Sequence, residues 1–372
     1  MKVLLVAGAR PNFMKIAPVY RAAQVYENLE CLIVHTGQHY DYAMSQTFFD
    51  DLELPKPDHF LAAGSGSHAE QTAKIMVAFE RVCLEEEPDL VIVVGDVNST
   101  LACSIVAKKM LIKVAHIEAG LRSFDLTMPE EINRMVTDSI SDYFFVTESS
   151  GLDNLLREGK PEAAVFMVGH VMIDNLLHQV DKLKECDTSG FSVAELKRAH
   201  PDYIFMTMHR PANVDNAEVL QGIVNCLNEI AKDYPIFFPM HPRTAKMLKQ
   251  YKIKLSDNIN CLGPLGFRES LYLWQDAIAV LTDSGGLQEE TTALGIPCLT
   301  LRENTERPIT IELGTNILAG NQPAGIMKAF TQLSKSFSVG EGTAERCECK
   351  VPKWDGRAAE RIWQILLAQS DS

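Results

Sequence analysis

Short apolar runs alternate with amphipathic stretches along most of the chain. In the first half, six runs predict strands, at 3–7, 31–35, 90–94, 114–117, 143–147 and 165–168. Five stretches between them predict helices, at about 13–26, 70–87, 99–110, 130–140 and 151–158. The run 90–94 is apolar throughout, as expected of a strand that is covered on both faces of a parallel sheet. Strands that alternate with helices predict a doubly wound, parallel α/β fold.

The second half restarts the same alternation after an irregular stretch. Strands are predicted at 203–208, 236–240, 277–282 and 298–301, and helices at 215–232, 268–274 and 286–294. The segment 178–201 is charged and contains the turn signal Asp187-Thr188-Ser189-Gly190, so we expect the chain to cross between domains near it. A length of 372 residues also suits two α/β domains. We therefore expect domains at 1–172 and 173–355, followed by an amphipathic C-terminal helix within 356–372.

Composition and charge exclude several classes of protein. A formal net charge of −14 argues against binding to a nucleic-acid backbone. The apolar run at the N-terminus is too short for a signal peptide, and no run approaches the roughly 18 apolar residues of a membrane span. The nine cysteines are scattered, and we interpret them as reduced core thiols of a cytoplasmic protein. Cys347 and Cys349 lack a second cysteine pair, so no zinc site is expected.

Candidate functional residues follow directly after predicted strands. They are Arg10, Asp96, Glu118, His209, His241 and the pair Asp283-Ser284. Ligands of parallel α/β sheets bind beyond the carboxyl ends of the strands, so these positions predict a binding site. The alternative for His241 is that its side chain only hydrogen-bonds to nearby backbone groups. His35 and His39 are four residues apart, but Gly37 between them indicates a loop, and no metal is expected.

A glycine-rich turn precedes the predicted helix at 286–294. Ser284, Gly285 and Gly286 would leave backbone N–H groups and the positive end of the helix free to bind an anion. Glu290 lies about one turn into the helix, where its carboxylate could hold vicinal hydroxyls such as those of a ribose. The alternative is that Asp283 or Ser284 only caps the helix.

The two common nucleotide-binding fingerprints are absent. No G-x-G-x-x-G follows the first strand, and no G-x-x-x-x-G-K-[ST] occurs anywhere. This argues against nicotinamide-dependent redox chemistry and against P-loop nucleotide hydrolysis. A diphosphate would need side-chain cations instead, and Arg10, Lys15 and Arg307 are the candidates.

Carboxylates form the second candidate group. Asp96 and Glu118 end neighbouring predicted strands, and Glu130 and Glu131 open a helix after Pro129. Carboxylates that converge on one cleft raise each other's pKa and can act as acid and base. For Glu130 and Glu131, favourable charge at a helix start is an equally good explanation.

Many of these residues fall in blocks that resemble one enzyme family. The blocks are Gly8-Ala9-Arg10-Pro11 with Lys15, Thr36-Gly37-Gln38-His39, Gly95-Asp96, the stretch His116 to Arg122, Pro129 to Arg134, His209-Arg210, Thr282 to Glu290, and Thr305-Glu306-Arg307-Pro308. In this order they resemble the non-hydrolysing UDP-N-acetylglucosamine 2-epimerases from the first strand to the C-terminal helix.

The resemblance implies a fold, an assembly and a set of residue roles. It implies a glycosyltransferase-B-like α/β fold, in which two Rossmann-like domains face across a cleft and the C-terminal helix returns to the first domain. It also implies a homodimer, a UDP-sugar substrate, and no cofactor or metal. Asp96, Glu118, Glu131 and His209 would be catalytic. The UDP would be held by Arg10, Lys15, His209, Ser284, Gly285, Gly286, Glu290 and Arg307, with the uracil near Leu265 and Ser270.

The implied reaction interconverts UDP-N-acetylglucosamine and UDP-N-acetylmannosamine by elimination and re-addition of UDP through a 2-acetamidoglucal. Asn12 and Ile309 stand where many relatives carry Glu, and Gly169-His170 replaces a usual Gly-Asn, so a sugar modified at C3 or C6 is an alternative substrate. Tyr40-Asp41 and Ser65-Gly66 replace residues of a regulatory site, which is therefore not expected. The remaining alternatives are a glycosyltransferase of the same fold, a hydrolysing epimerase and a non-catalytic binder of UDP-sugars.

Overall fold

The computed structural model describes residues 1–37, 49–337 and 346–370. The chain divides into two compact units. Unit 1 comprises Met1–His178 and Pro352–Ser372, and unit 2 comprises Gln179–Val351. Each unit is built on one parallel sheet, so the predicted α/β class is confirmed.

Unit 1 contains a seven-stranded sheet in the order β3-β2-β1-β4-β5-β6-β7. Its strands are β1 (Lys2–Ala7), β2 (Glu30–His35), β3 (His59–Phe60), β4 (Leu90–Val94), β5 (Lys113–Ile117), β6 (Tyr143–Val146) and β7 (Val165–Met167). Its helices are α1 (Arg10–Ala23), α2 (His68–Glu86), α3 (Asn98–Lys109), α4 (Pro129–Ile140) and α5 (Ser149–Arg157). Every residue of β4 is buried, because helices cover both faces of the sheet.

Unit 2 contains a six-stranded sheet in the order β10-β9-β8-β11-β12-β13. Its strands are β8 (Ile204–Thr207), β9 (Ile236–Pro239), β10 (Ile259–Leu262), β11 (Ala279–Thr282), β12 (Cys298–Thr300) and β13 (Asn316–Leu318). Its helices are α7 (Ala194–Ala199), α8 (Pro211–Val214), α9 (Ala217–Ile230), α10 (Pro242–Tyr251), α11 (Phe267–Trp274), α12 (Gly285–Ala293), α13 (Ile309–Glu312) and α14 (Pro323–Leu333). The division between the units falls within α6 (Val171–Glu185). Short 3-10 turns occur at Glu162–Ala164, Thr188–Gly190 and Ser334–Ser336.

The C-terminal helix α15 (Ala358–Ser370) belongs to unit 1. Its Trp363 is fully buried in the core beside α1 and donates its indole N–H to the carbonyl of Val19 at 2.7 Å. The carboxylate of Asp174 accepts the backbone N–H groups of Ala358 and Ala359 at 3.1 and 2.7 Å. Asp174 therefore caps the start of α15, where backbone N–H groups have no partner within the helix.

The predicted strands are all present, with ends that differ by one or two residues. Three strands were not predicted, namely β3, β10 and β13, and the helices α6, α7, α8, α10, α13 and α14 were also missed. The expectation of an irregular segment at 178–201 is wrong over much of its length. The helix α6 runs through to Glu185, and α7 occupies Ala194–Ala199.

Two properties expected of the whole chain can be compared with the structure. Cys103 and Cys298 are buried as expected, but Cys186, Cys261 and Cys347 are exposed, so not all the thiols belong to a core. Within the described residues, no helix combines the length and the apolar character needed to cross a bilayer.

Candidate functional site

Lys15 and Glu118 form a buried ion pair at the carboxyl edge of the unit 1 sheet. Lys15 lies on α1, and Glu118 follows β5 with a left-handed backbone (φ 68°). The Glu118 side chain is 3% exposed and that of Lys15 14%. Gly95 lies against this pair, and a Cβ there would be 3.2 Å from Lys15 Nζ. Position 95 requires glycine for two reasons: its backbone is left-handed, with φ of +68°, and a side chain would crowd Lys15.

Asn12 lies beside the same pair, but its side chain hydrogen-bonds only to backbone groups. Its Oδ1 accepts the N–H groups of Gly8 and Ala9 at 3.2 and 2.9 Å, and its Nδ2 donates to the carbonyl of Val94 at 3.2 Å. Because its side chain is buried and satisfied in these bonds, Asn12 joins the ends of β1 and β4.

Asp96 follows β4 and is paired with Arg134 of α4. The Asp96 side chain is 26% exposed, so its carboxylate is accessible to a ligand. Asn133 donates to the backbone carbonyl of Asp96 at 2.9 Å. Consecutive residues of α4 thus hold the backbone and the side chain of Asp96.

Glu131 is buried, and both of its carboxylate oxygens hold the loop that precedes α4. One oxygen accepts the backbone N–H and the hydroxyl of Ser123 at 2.9 and 3.0 Å, and the other accepts the N–H of Phe124 at 3.0 Å. Arg134 Nη1 lies 3.7 Å from the carboxylate. Glu131 is therefore more than a favourable charge at a helix start, whereas Glu130 is exposed.

A buried histidine connects the two turns that carry Asp96 and Glu118. His116 Nε2 lies 2.8 Å from the carbonyl of Gly95, and its Nδ1 lies 2.7 Å from Asp138 Oδ1. A carbonyl and a carboxylate both accept hydrogen bonds, so each ring nitrogen of His116 faces an acceptor. Asp138 Oδ2 accepts the N–H of Gly120 at 3.1 Å and pairs with Arg122 at 2.8 Å. Burial alone would raise the pKa of Asp138, but His116 and Arg122 outweigh burial and hold the pKa below its ordinary value.

In unit 2, Asp283 organises the loop after β8. Its carboxylate accepts the backbone N–H groups of His209 and Arg210 at 3.0 and 2.8 Å, and Asn213 Nδ2 at 3.2 Å. His209 Nδ1 lies 3.1 Å from Asp283 Oδ1, and its side chain is 42% exposed. Burial favours a raised pKa for Asp283, but the hydrogen bonds from His209 and Arg210 lower it below its ordinary value. The capping alternative is wrong for Asp283, since its carboxylate binds this loop instead of α12.

The glycine-rich turn opens towards free space at the start of α12. Ser284 is the N-cap residue, and its side chain makes no capping hydrogen bond. A Cβ added to Gly285 or Gly286 would meet no heavy atom within 4 Å. The turn therefore has room for an anion beside Gly285 and Gly286. The backbone N–H of Ser284 already donates to Thr282 Oγ1 at 2.9 Å, so it is not free as the sequence predicted.

Two acidic side chains lie on α12, after the glycine-rich turn, and a basic side chain lies in the loop after β12. Burial of the Glu290 carboxyl, together with the neighbouring Glu289 carboxylate, raises the pKa of Glu290 to about 8. Glu289 Oε1 lies 2.5 Å from Arg307 Nε. Gln288 is fully buried between the start of α12 and Thr305.

Other predicted residues take more ordinary positions. His241 caps α10 by accepting the N–H of Arg243 at 3.1 Å, as the backbone alternative predicted. Arg10 is the exposed first residue of α1, and Ser270 is a partly exposed residue of α11. Gln38-His39 and Tyr40-Asp41 lie outside the described residues.

The structure brings Lys15, Asp96, Glu118 and Glu131 to the carboxyl edge of the unit 1 sheet, and His209, Ser284, Glu290 and Arg307 to that of unit 2. Sequence reasoning assigned no role to His116, Arg134, Asp138 or Gln288. A polar residue inside an otherwise apolar strand, as in Val114-Ala115-His116-Ile117, was the available signal for His116. In the described part of the chain, no three His, Cys, Asp or Glu side chains are grouped as metal ligands.

Comparisons with known proteins agree on one family. The family model described as UDP-N-acetylglucosamine 2-epimerase matches residues 21–367. A protein of Methanocaldococcus jannaschii named UDP-N-acetylglucosamine 2-epimerase is 42% identical, with 98% of this chain and 99% of that protein covered. A protein of Pseudomonas aeruginosa named UDP-2,3-diacetamido-2,3-dideoxy-D-glucuronate 2-epimerase is 41% identical, with 91% of this chain and 94% of that protein covered.

The crystal structure of the M. jannaschii UDP-GlcNAc 2-epimerase in complex with UDP-GlcNAc and UDP is similar over nearly the whole chain. The TM-score is 0.80 at 42% identity, and 99% of this chain and 100% of that chain are covered. The glycosyltransferase-B-like fold class expected from the resemblance is confirmed by this likeness.

Proposed function

This chain belongs to the UDP-N-acetylglucosamine 2-epimerase family and is an isomerase, and we propose that it interconverts UDP-N-acetylglucosamine and UDP-N-acetylmannosamine without hydrolysing them. The reaction proceeds by elimination of UDP and its re-addition through a 2-acetamidoglucal. The observation that carries the proposal is the pair of strand-end carboxylates, Asp96 and Glu118, each held beside a cation. A protein that only bound a UDP-sugar would not need them.

The chemistry requires the sugar–phosphate bond to break first. C2 of the sugar bears nitrogen and has no neighbouring carbonyl, so its hydrogen is only weakly acidic. When the C1–O bond breaks, its electron pair leaves with UDP and C1 becomes cationic. The C2 hydrogen is then lost as a proton, and its bonding pair forms the C1–C2 double bond. Re-addition with protonation of the other face gives the epimer.

Positive groups stabilise the departing diphosphate. We assign this role to Arg10, Lys15, Arg307 and the backbone N–H groups of Gly285 and Gly286, because preorganised charges lower the barrier to forming an anion. The N–H of Ser284 is not included, since it donates to Thr282 Oγ1 at 2.9 Å. We assign His209 to UDP binding and catalysis, Glu290 to the ribose and Ser270 to the uracil.

Asp96 is the better supported base for the C2 proton. Its carboxylate is partly exposed, whereas both oxygens of Glu131 are engaged by Ser123 and Phe124. We therefore assign Glu131 to holding the 121–128 loop, and we keep it as the second candidate for proton transfer. Glu118 stabilises the cationic C1 through the negative charge of its carboxylate.

A second candidate is a 2-epimerase of a sugar modified at C3 or C6, which the P. aeruginosa relative favours. Asn12 supports a modified sugar less strongly in the structure than it did in the sequence. Its amide is buried and bonded to Gly8, Ala9 and Val94, so it does not present itself to a sugar substituent.

Incubation in deuterated water tests the reaction. With UDP-N-acetylglucosamine alone, we expect deuterium at C2 of a UDP-linked product, detected by NMR and mass spectrometry. Asp96→Asn should lower the rate of exchange by roughly 10²–10⁴-fold, the usual contribution of a general base. Asp142→Asn is the matched control, because Asp142 precedes β6 at the opposite edge of the sheet and pairs with Lys108.

Three outcomes would favour the alternatives. An absolute requirement for an acceptor would indicate a glycosyltransferase, and free sugar as the main product would indicate a hydrolysing epimerase. Turnover of a diacetamido-uronic UDP-sugar in preference to UDP-N-acetylglucosamine would keep the mechanism and change the substrate.

We also propose that the protein is a homodimer of the cytoplasm. Ile132, Met135 and Val136 are exposed at helical spacing on α4, and Val77 and Leu84 are exposed on α2. Their burial against a second copy would remove this apolar surface from water. Light scattering should give twice the chain mass. Ile132→Glu should lower the measured mass, whereas Leu156→Glu on α5 should not.

The proposed compartment rests on the cysteines. All nine cysteines are free, which supports a reducing compartment.

A further inference from the structure

Gln288 makes three hydrogen bonds to three different segments of unit 2. It is fully buried in the first turns of α12. Its Nε2 donates to the carbonyl of Ser284 at 3.1 Å, in the glycine-rich turn. Its Oε1 accepts the hydroxyl of Thr305 at 2.6 Å and the amide of Asn316 at 3.3 Å.

The Thr305 hydroxyl links Gln288 to Arg307 through two hydrogen bonds. It donates to Gln288 and accepts the backbone N–H of Arg307 at 3.0 Å, so both of its hydrogen-bonding roles are filled. The hydroxyl of Thr310 donates to the carbonyl of Arg307 at 2.7 Å. The backbone of Arg307 is thereby fixed on both sides.

The neighbouring residue holds the guanidinium. Glu289 is buried, and its carboxylate lies 2.5 Å from Arg307 Nε. Two consecutive side chains of α12 therefore determine where Arg307 stands: Gln288 through the backbone and Glu289 through the side chain.

We propose that Gln288 is a positioning residue for the leaving diphosphate. It fixes the distance between the N–H groups at the start of α12 and the guanidinium of Arg307, so that both meet the phosphate oxygens without rearrangement. Preorganised donors stabilise a developing anion more than donors that must first reorganise. This inference rests on the proposed function, since it takes a nucleoside diphosphate as the ligand.

The chemistry of the side chain explains why glutamine is needed. One terminal group must donate to a carbonyl while the other accepts a hydroxyl, and an amide does both. Glutamate would place an acceptor against the Ser284 carbonyl, and methionine would make neither bond while keeping nearly the same volume. Gln288→Met is accordingly the cleanest variant.

Binding of UDP and of uridine separates positioning from general loosening. For Gln288→Met we expect roughly ten-fold weaker binding of UDP by calorimetry, equivalent to about one lost hydrogen bond to a well-placed group. Binding of uridine, followed by NMR titration, should change less than about two-fold, since uridine makes no diphosphate contact. Gln221→Met is the matched control because Gln221 is exposed on α9.

Thr305→Val provides a second, independent variant. It should weaken UDP binding to a similar extent, and Thr305→Ser should restore it. The double variant that combines Gln288→Met with Thr305→Val should bind UDP at most about two-fold more weakly than either single variant. Both substitutions remove the same connection, so their effects should not add.

The results distinguish this inference from the proposed function. Equal losses for UDP and uridine, or unchanged UDP affinity in both variants, would overturn the positioning role. Absence of UDP binding by the unsubstituted protein would overturn both proposals. If UDP binding follows the expected pattern while no deuterium enters C2 of any UDP-sugar, the positioning role stands and the proposed reaction fails.

Discussion

At the scale of single residues, the cost of a charge depends on how deeply it is buried. The Lys15–Glu118 pair is almost inaccessible to water, whereas the side chains of Lys108 and Asp142 are 31% and 32% exposed. Removing one member of a buried pair leaves the other unsolvated and unpaired, which costs several kcal/mol. An exposed ion pair contributes little, because water screens it.

Lys15→Met should therefore lower the free energy of unfolding by about 3 kcal/mol, measured by urea denaturation at pH 7. Adding Glu118→Gln should recover much of that loss, since the unpaired carboxylate is then gone. Lys108→Met is the control, with an expected loss below about 1 kcal/mol. Equal losses for Lys15→Met and Lys108→Met would contradict the buried character of the first pair.

Glu290 gives the protein a pH-dependent stability of definite sign. Its pKa in the folded protein is about 8, raised by burial and by Glu289 from an ordinary value of 4.5. The folded state thus holds the proton more tightly than the unfolded state, and stability decreases as pH rises from 4.5 through 8. Glu290→Gln should match the unsubstituted protein near pH 4.5 and be more stable at pH 9 by urea denaturation.

Glu312→Gln is the control for this titration, because Glu312 is exposed on α13. A stabilisation by Glu290→Gln that is the same at pH 4.5 and pH 9 would show that the carboxyl does not titrate as stated.

At the scale of elements, the turn after β5 packs directly on the start of α5. Gly120 and Gly159 both have left-handed backbones, with φ of +78° and +82°. A Cβ at Gly120 would lie 2.2 Å from the carbonyl oxygen of Gly151, whereas one at Gly159 would meet nothing within 4 Å. The two positions share the backbone strain and differ in the contact.

Gly159→Ala should cost about 1 kcal/mol from backbone strain alone. Gly120→Ala should cost more than about 3 kcal/mol, because backbone must move to admit the methyl group. Thermal denaturation of the two variants measures the difference. Similar midpoints would mean that the turn and α5 can separate without loss.

The elements that the sequence predicted well are the central ones. The run 90–94 is buried on both faces and stands out as β4, whereas β3 and β13 are edge strands of two and three residues that carry no pattern. The helix α6 was missed because its charged residues resembled a linker. Strand ends located Asp96 and Glu118, but the partners of Asp283 and Gln288 depend on contacts between distant segments that no periodicity encodes.

At the scale of the whole molecule, each unit has its own core and at least one buried tryptophan. Trp363 is fully buried in unit 1, and Trp274 is 3% exposed in unit 2. Truncating a buried tryptophan typically costs 3–5 kcal/mol. We expect each loss to be confined to the unit that contains the residue.

Hydrogen exchange can follow the two units separately. Trp363→Ala should speed exchange of the amides in β1 and β4 and leave those in β8 and β11 unchanged, and Trp274→Ala should do the reverse. Faster exchange of all four strands in both variants would show that the units unfold as one.

Unit 1 is interrupted in chain order by the whole of unit 2. During synthesis, residues 179–351 leave the ribosome before α15, so the second unit has its complete sequence while the first still lacks Trp363 and its neighbours. Helix α1 then lacks the helix α15, against which it packs in the folded unit. A premature stop codon anywhere between 179 and 351 would release a polypeptide whose first unit lacks Trp363, and quality control should remove it.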